Sequence, residues 1–304
     1  MGKPWRYCTS DEKLLIQPKY DDAEPFSESL ALMGRKCQWV FMHQTGRDMV
    51  RSGYYNFAEL FREGWTRVKL NGKWGLIDKT GREVVPPKYD EIESFREGLA
   101  RVGLNGKYGL IDKTGREVVP PKYDEASDFR EGLAEVGIGK WKGDDEFIGK
   151  MGFIDKTGRE VVPPKYDKVW DFSEGLAGVK LNGKYGFIDK TGREVVPPKY
   201  DWIGDFREGL AAVELNGKWG FIDKTGREVV PPKYDEIESF REGLARVGLN
   251  GKYGLIDKTG REVVPPKYDW VESSSEGLAR VKLNGKDFYI KVFPDGKVVE
   301  YYDE

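Results

Sequence analysis

Six aspartates, Asp78, Asp112, Asp155, Asp189, Asp223 and Asp257, each stand in the setting Asp-Lys-Thr-Gly-Arg. Carboxylates repeated in this way can ring a metal ion. An aspartate three residues before a glycine is also the side-chain acceptor of a tight turn, which accounts for the series more simply. Other reactive groups are scarce. His43 is the sole histidine and Cys8 and Cys37 are the only cysteines, so neither a histidine triad nor a His- or Cys-ligated metal site is expected. No Walker loop, Gly-x-Ser-x-Gly or His-Glu-x-x-His occurs. "KGDDE" at Lys142–Glu146 gathers three carboxylates without EF-hand spacing, which suits a solvated loop tip better than a cation site. The expectation is a non-enzymatic protein with no catalytic residues, metal or cofactor.

The elements that carry these aspartates recur. "IDKTGREVVPPKYD" begins at Ile77, Ile111, Ile154, Ile188, Ile222 and Ile256, with spacings of 34, 43, 34, 34 and 34 residues. The long interval holds an insertion at 139–147, inside one connection. Residues 77–124 repeat letter for letter as 222–269, so identity between copies reflects copying as much as need. Asn105-Gly106, set between "LARVGL" and "KYGLID", signals a two-residue hairpin. It places Leu104 opposite Lys107, Val102 opposite Gly109 and Ala100 opposite Ile111, with apolar residues on both faces. The Asp112–Gly115 turn leads into a third strand, Pro120-Pro121 is expected to end its ladder, and a short outer strand follows "KYD". No helical stripe exists, so the chain is all-β.

"QPKYDDAEPFSESLALM" near the start resembles the second half of a unit, and "NGKDFYIKVFPDGKVVEYYDE" at the end resembles the first half. The expected fold is a closed β-propeller-like toroid of eight ~34-residue repeats in which the terminal halves share one blade, leaving no free edge. Its divisions are a half repeat at 1–33, a degenerate repeat at 34–70, full repeats at 71–104, 105–147, 148–181, 182–215, 216–249 and 250–283, and a completing half at 284–304. An open β-solenoid or superhelical array is the alternative, since ~34 residues is short beside the ~40–45 of WD-type blades.

Fifty basic residues against 52 acidic ones give no net field for nucleic acid or an anionic membrane. The start lacks a signal-peptide apolar run and no stretch has spanning length. A cytoplasmic monomer with neither nucleic-acid nor membrane partners is expected.

The run "NGKWGLIDKTGREVVPPKYDEIESFREGLARV" (71–102) resembles the WG-repeat, or KWG-repeat, family of bacterial proteins, in the order Lys-Trp-Gly, "IDKTG", "PPKYD". The resemblance implies a β-rich, often propeller-like repeat domain with a binding role and no catalytic residues. Trp74 and Trp219 keep the tryptophan, Tyr108, Tyr185 and Tyr253 replace it, and Met151 departs from it.

That series, Trp74, Tyr108, Tyr185, Trp219 and Tyr253, is either sheet-covering packing or a set of platforms for a sugar, the glycan-binding alternative. The positions that vary between copies are more informative. One set is Arg67, Arg101, Glu135, Gly178, Ala212, Arg246 and Arg280. The other follows "KYD" and includes Trp170, Trp202 and Trp270. With Trp141 and Phe147 on the insertion, these point to a protein or peptide partner bound across one face, against neutral drift at tolerant loops. Candidate contacts are therefore Trp170, Trp202, Trp270, Trp141, Phe147, Arg101, Arg246 and Arg280. An engineered near-consensus array is a further reading of the verbatim copies.

Overall fold

The computed structural model describes residues 20–28, 30–36, 38–44, 55–143, 146–272 and 276–302, all strand, turn or loop without helix. Cys8, Cys37, Thr45–Arg47, Asp144 and Asp145 lie outside the described residues. Eight antiparallel sheets follow one another along the chain, at 22–43, 57–89, 91–123, 125–166, 168–200, 202–234, 236–268 and 270–301. Among the described residues the first has three strands and the others four. The fold is thus an all-β repeat of propeller-blade units. The chain divides into two compact units, Met1–Val136 with Lys156–Arg159 and Gly137–Asp155 with Glu160–Glu304. The first holds the first three sheets and the second the last four.

The third sheet shows how one copy folds. A two-residue strand, Glu91–Ile92 (β1), pairs with Leu99–Leu104 (β2), which pairs with Lys107–Asp112 (β3), which pairs with Glu117–Tyr123 (β4). The β2–β3 register is the one the Asn-Gly turn dictates, Leu104 opposite Lys107 through Ala100 opposite Ile111. Asn105 and Gly106 take φ of 52° and 72° to make that turn. A second two-residue turn, Glu97-Gly98, joins β1 to β2 and also lies at positive φ.

The double proline behaves differently from expectation. β4 runs through Pro120 and Pro121, and the ladder skips over them, from Leu110–Val119 to Tyr108–Tyr123. The prolines donate no N–H, so they fit where the strand bulges away from its neighbour. This bulge explains the glycine after the motif aromatic. A Cβ on Gly109 would lie 2.4 Å from the Val119 carbonyl oxygen and 2.6 Å from the Pro121 nitrogen, backbone atoms that cannot step aside.

Every described sheet is continuous in sequence, which corrects the expectation that the terminal halves share a blade. A turn at Pro294–Gly296 folds Val298–Tyr301 back onto Lys286–Val292, so the C-terminal stretch supplies its own fourth strand. Residues 22–43 build a separate sheet.

Cores form between consecutive sheets. Leu76, Val85 and Tyr89 of the second sheet pack on Ile92, Ala100, Val102 and Ile111 of the third. In the other unit, Leu210, Phe221, Val230 and Tyr234 of the sixth sheet pack on Phe240, Ala245, Val247 and Ile256 of the seventh. One copy leaves a whole apolar face bare, and the next copy covers it.

Candidate functional site

The residues of the repeat phrase are spent on joining copies. Tyr89 is fully buried, and its hydroxyl donates to Glu117 of the next sheet at 2.5 Å. Tyr166, Tyr200 and Tyr234 make the same bond to Glu194, Glu228 and Glu262, at 2.7, 2.9 and 2.7 Å. Burial and the neighbouring carboxylate push the Tyr89 and Tyr234 phenols well above their ordinary range. Lys88 and Tyr89 together hold Glu117 below its ordinary value. Asp90 likewise bridges copies, accepting from Lys73 behind it and from the Asn105 backbone N–H ahead, at 2.7 Å.

The recurring aspartates close turns. Asp112 Oδ1 accepts from the Thr114 hydroxyl at 2.6 Å and the Thr114 N–H at 2.9 Å, while Arg116 Nε reaches Oδ2 at 3.0 Å. The Thr114 hydroxyl is foremost in bringing its carboxyl down to about 2. Among the described residues no cluster of three or more His, Cys, Asp or Glu has the arrangement of a metal site.

The Trp74, Tyr108, Tyr185, Trp219 and Tyr253 rings are half-buried and their faces are engaged. Arg101 lies 4.7 Å over Tyr108, Arg246 5.1 Å over Tyr253 and Lys69 5.1 Å over Trp74. Arg101 also donates to the Ala126 carbonyl of the next sheet at 2.6 Å and pairs with Glu93, and Arg246 reaches the Val271 carbonyl and Glu238. Arg280 is more exposed and stands 3.6 Å from Asp287. In two of the copies that lack the arginine, those with Gly178 and Ala212, a loop tryptophan takes its place. Trp170 lies on Gly178 and meets Tyr185 at 5.6 Å, and Trp202 meets Trp219 at 5.2 Å beside Ala212 and Gly204. In these two copies the tryptophan covers the ring that the arginine covers elsewhere, whereas Glu135 has no such tryptophan and Trp270 stands in a copy that keeps Arg280. Trp202 and Trp270 stay 42% and 38% exposed, whereas Trp170 is half-buried.

The insertion lengthens the hairpin of the fourth sheet to Leu133–Lys142 and Glu146–Asp155, ten residues a strand against six in its neighbours. Trp141 and Phe147 meet edge to face at 5.5 Å. Gly137, Gly139 and Gly149 leave no room for a Cβ beside Phe147, Met151 and the opposing backbone. Ile138 and Ile148 remain exposed, with Trp141 at 47%.

A second departure, absent from the expected site, lies in the copy at 55–78. Phe57, Leu60 and Trp65 stand where the next copy has Glu91, Ser94 and Leu99. Phe57 and Leu60 are 46% and 41% exposed, and Trp65 faces Phe95 at 6.4 Å. Three adjoining depressions run over this copy and share Glu59: one at Trp74 and Phe57, one at Phe57 and Leu60, and a cleft of about 190 Å³ between Leu60, Trp65 and Phe95. The three substitutions were visible in the sequence, and their shared destination was not.

The four-stranded units, closed by identical turns and coupled copy to copy, define a β-repeat protein of propeller-blade type. The chain belongs to the WG-repeat family: the family described as "WG containing repeat" matches at residues 5–33, 53–74, 74–108, 108–140, 151–185, 185–219, 219–253 and 253–286. No curated protein matches the chain. Among solved structures it is similar to a eukaryotic initiation factor, at 12% identity over 100% of this chain and 92% of that one, with a TM-score of 0.36. It is also similar to virginiamycin B lyase from Staphylococcus aureus (15% identity, 70% and 83% covered, TM-score 0.28) and to AztD from Citrobacter koseri (13%, 90% and 94%, 0.30).

Proposed function

We propose that this β-repeat chain is a non-enzymatic scaffold that binds a protein partner through the places where its copies depart from one another. The observation that carries the reading is the lengthened hairpin, which exposes Ile138, Trp141 and Ile148 where the other full copies turn back on Asn-Gly. Exposed aromatic and aliphatic side chains on a two-stranded arm are the ingredients of a contact hot spot. Support also comes from what is already occupied: the aspartates close turns and the motif aromatics are covered by cations or tryptophans, which weighs against catalysis and against sugar platforms.

Site-specific photo-crosslinking in a native lysate tests it, with the crosslinker at Trp141 or, for comparison, at Asn250 of a regular turn. A discrete protein adduct from position 141 and none from position 250 is expected. The same pattern from both positions would remove the support.

A further inference from the structure

The groove over residues 55–78 carries an inference that rests on the scaffold reading and adds the chemistry of a ligand. In an array this uniform, three exchanges of the next copy's residue for a larger apolar one are conspicuous. All three, Phe57 for glutamate, Leu60 for serine and Trp65 for leucine, line the same run of depressions. Phe57 meets Trp74 edge to face at 5.6 Å, which makes one apolar end, and Trp65 with Phe95 makes the other. The cleft at Leu60, Trp65 and Phe95, about 190 Å³, is below the roughly 300–1,000 Å³ of pockets that enclose a small molecule. It has room for a single large side chain. The wider depressions beside it, about 430 and 630 Å³, share Glu59 with it and leave room for the residues that flank such a side chain.

The lining holds four carboxylates, Glu24, Glu59, Glu63 and Glu93, against four cations, Arg62, Arg67, Lys69 and Lys113, and the two signs are engaged unequally. Three of these carboxylates are paired, Glu59 by Arg67 at 2.6 Å, Glu63 by Lys113 at 3.5 Å and Glu93 by Arg101 from outside the lining, and Glu24 has an interaction of its own. Two cations are left over. In the next copy Arg96 pairs with Asp128 at 2.9 Å, but Ser94 stands where Arg62 would find that aspartate. The Arg62 guanidinium has no partner among the described residues, and Lys69 has only the face of Trp74. A guanidinium at the mouth of an apolar cleft favours a carboxylate carried next to an apolar side chain.

We propose that this groove binds an extended acidic segment of a partner protein, seating one large apolar side chain between Leu60, Trp65 and Phe95 and a flanking carboxylate on Arg62. Fluorescence polarisation with two short labelled peptides tests it, one alternating aspartate with leucine and phenylalanine, the other with lysine for each aspartate. The variant Phe57→Glu/Leu60→Ser/Trp65→Leu installs the next copy's residues, so its fold is expected to persist, and a denaturation curve checks that it does. Saturable binding of the acidic peptide is expected, weakened about ten-fold or more in the triple variant. Arg62→Glu should reverse the preference toward the lysine peptide. Absence of saturable binding to the unaltered chain, equal binding of both peptides, or full binding by the folded triple variant would overturn the proposal. A position-141 adduct that survives any of these results would leave the scaffold reading standing, so the two failures are separable.

Discussion

The second and seventh sheets, 57–89 and 236–268, are built to one plan and differ where it matters. Both end in a double-proline bulge against a motif glycine, Gly75 or Gly254, and in a buried tyrosine, Tyr89 or Tyr268. Their outer strands diverge: Glu236 and Ser239 of the seventh sheet are Phe57 and Leu60 in the second, and Leu244 is Trp65. Positions touched by backbone, or by the neighbouring sheet, hold constant. Positions around one groove have moved together, toward larger apolar side chains.

That contrast breaks first at the constant positions. Gly220→Ala would place a Cβ 2.3 Å from the Val230 carbonyl oxygen and should cost about 3 kcal/mol or more by chemical denaturation. Gly217→Ala is the control, at φ 73° with nothing within 4 Å, and should cost about 1 kcal/mol, the penalty of a left-handed backbone alone. Arg101→Ala strips the ring face of Tyr108 and leaves the Ala126 carbonyl and Glu93 without their donor, an expected loss of about 2 kcal/mol. At Arg280, whose carboxylate neighbour is more distant and exposed, the same change should stay within about 0.5 kcal/mol.

Acid should act on the turns that all copies share. Asp112, Asp189 and Asp223 are held below the ordinary 3.8 foremost by the threonine hydroxyls they accept from. Because the folded value is the lower one, their contribution is present above pH ~4 and lost as pH falls toward 2. Melting temperature should therefore drop across that window, and less steeply in Asp112→Asn. The change Phe57→Glu/Leu60→Ser/Trp65→Leu should cost only about 1 kcal/mol, since Phe57 and Leu60 are exposed and the half-buried Trp65 gives way to the leucine that the next copy carries there.

Much of the architecture was legible because local signals agree with one another. Asn105-Gly106 specifies both a hairpin and its register, and the short strand at Glu91–Ile92 follows from the same repeat. The double proline misled because a missing N–H reads as a strand end, whereas here the strand bulges and continues. The Tyr–Glu bonds were hidden by distance, 28 residues, and by uniformity, since neither partner varies among the clear copies. Exchange of Arg101 for Trp170 or Trp202 was visible as two unrelated variable sets; only the common ring beneath them joins the two. The C-terminal strand reads as half of a shared unit because the chain shows similarity of letters, not which strand lies nearest.

The central claim is that each copy is completed by the next, through contacts such as the hydroxyl of Tyr234 on Glu262 at 2.7 Å. A double-mutant cycle of Tyr234→Phe and Glu262→Gln, followed by chemical denaturation, measures that link between sheets directly. A coupling of about 1 kcal/mol is predicted. Additive losses, with coupling below about 0.3 kcal/mol, would contradict it.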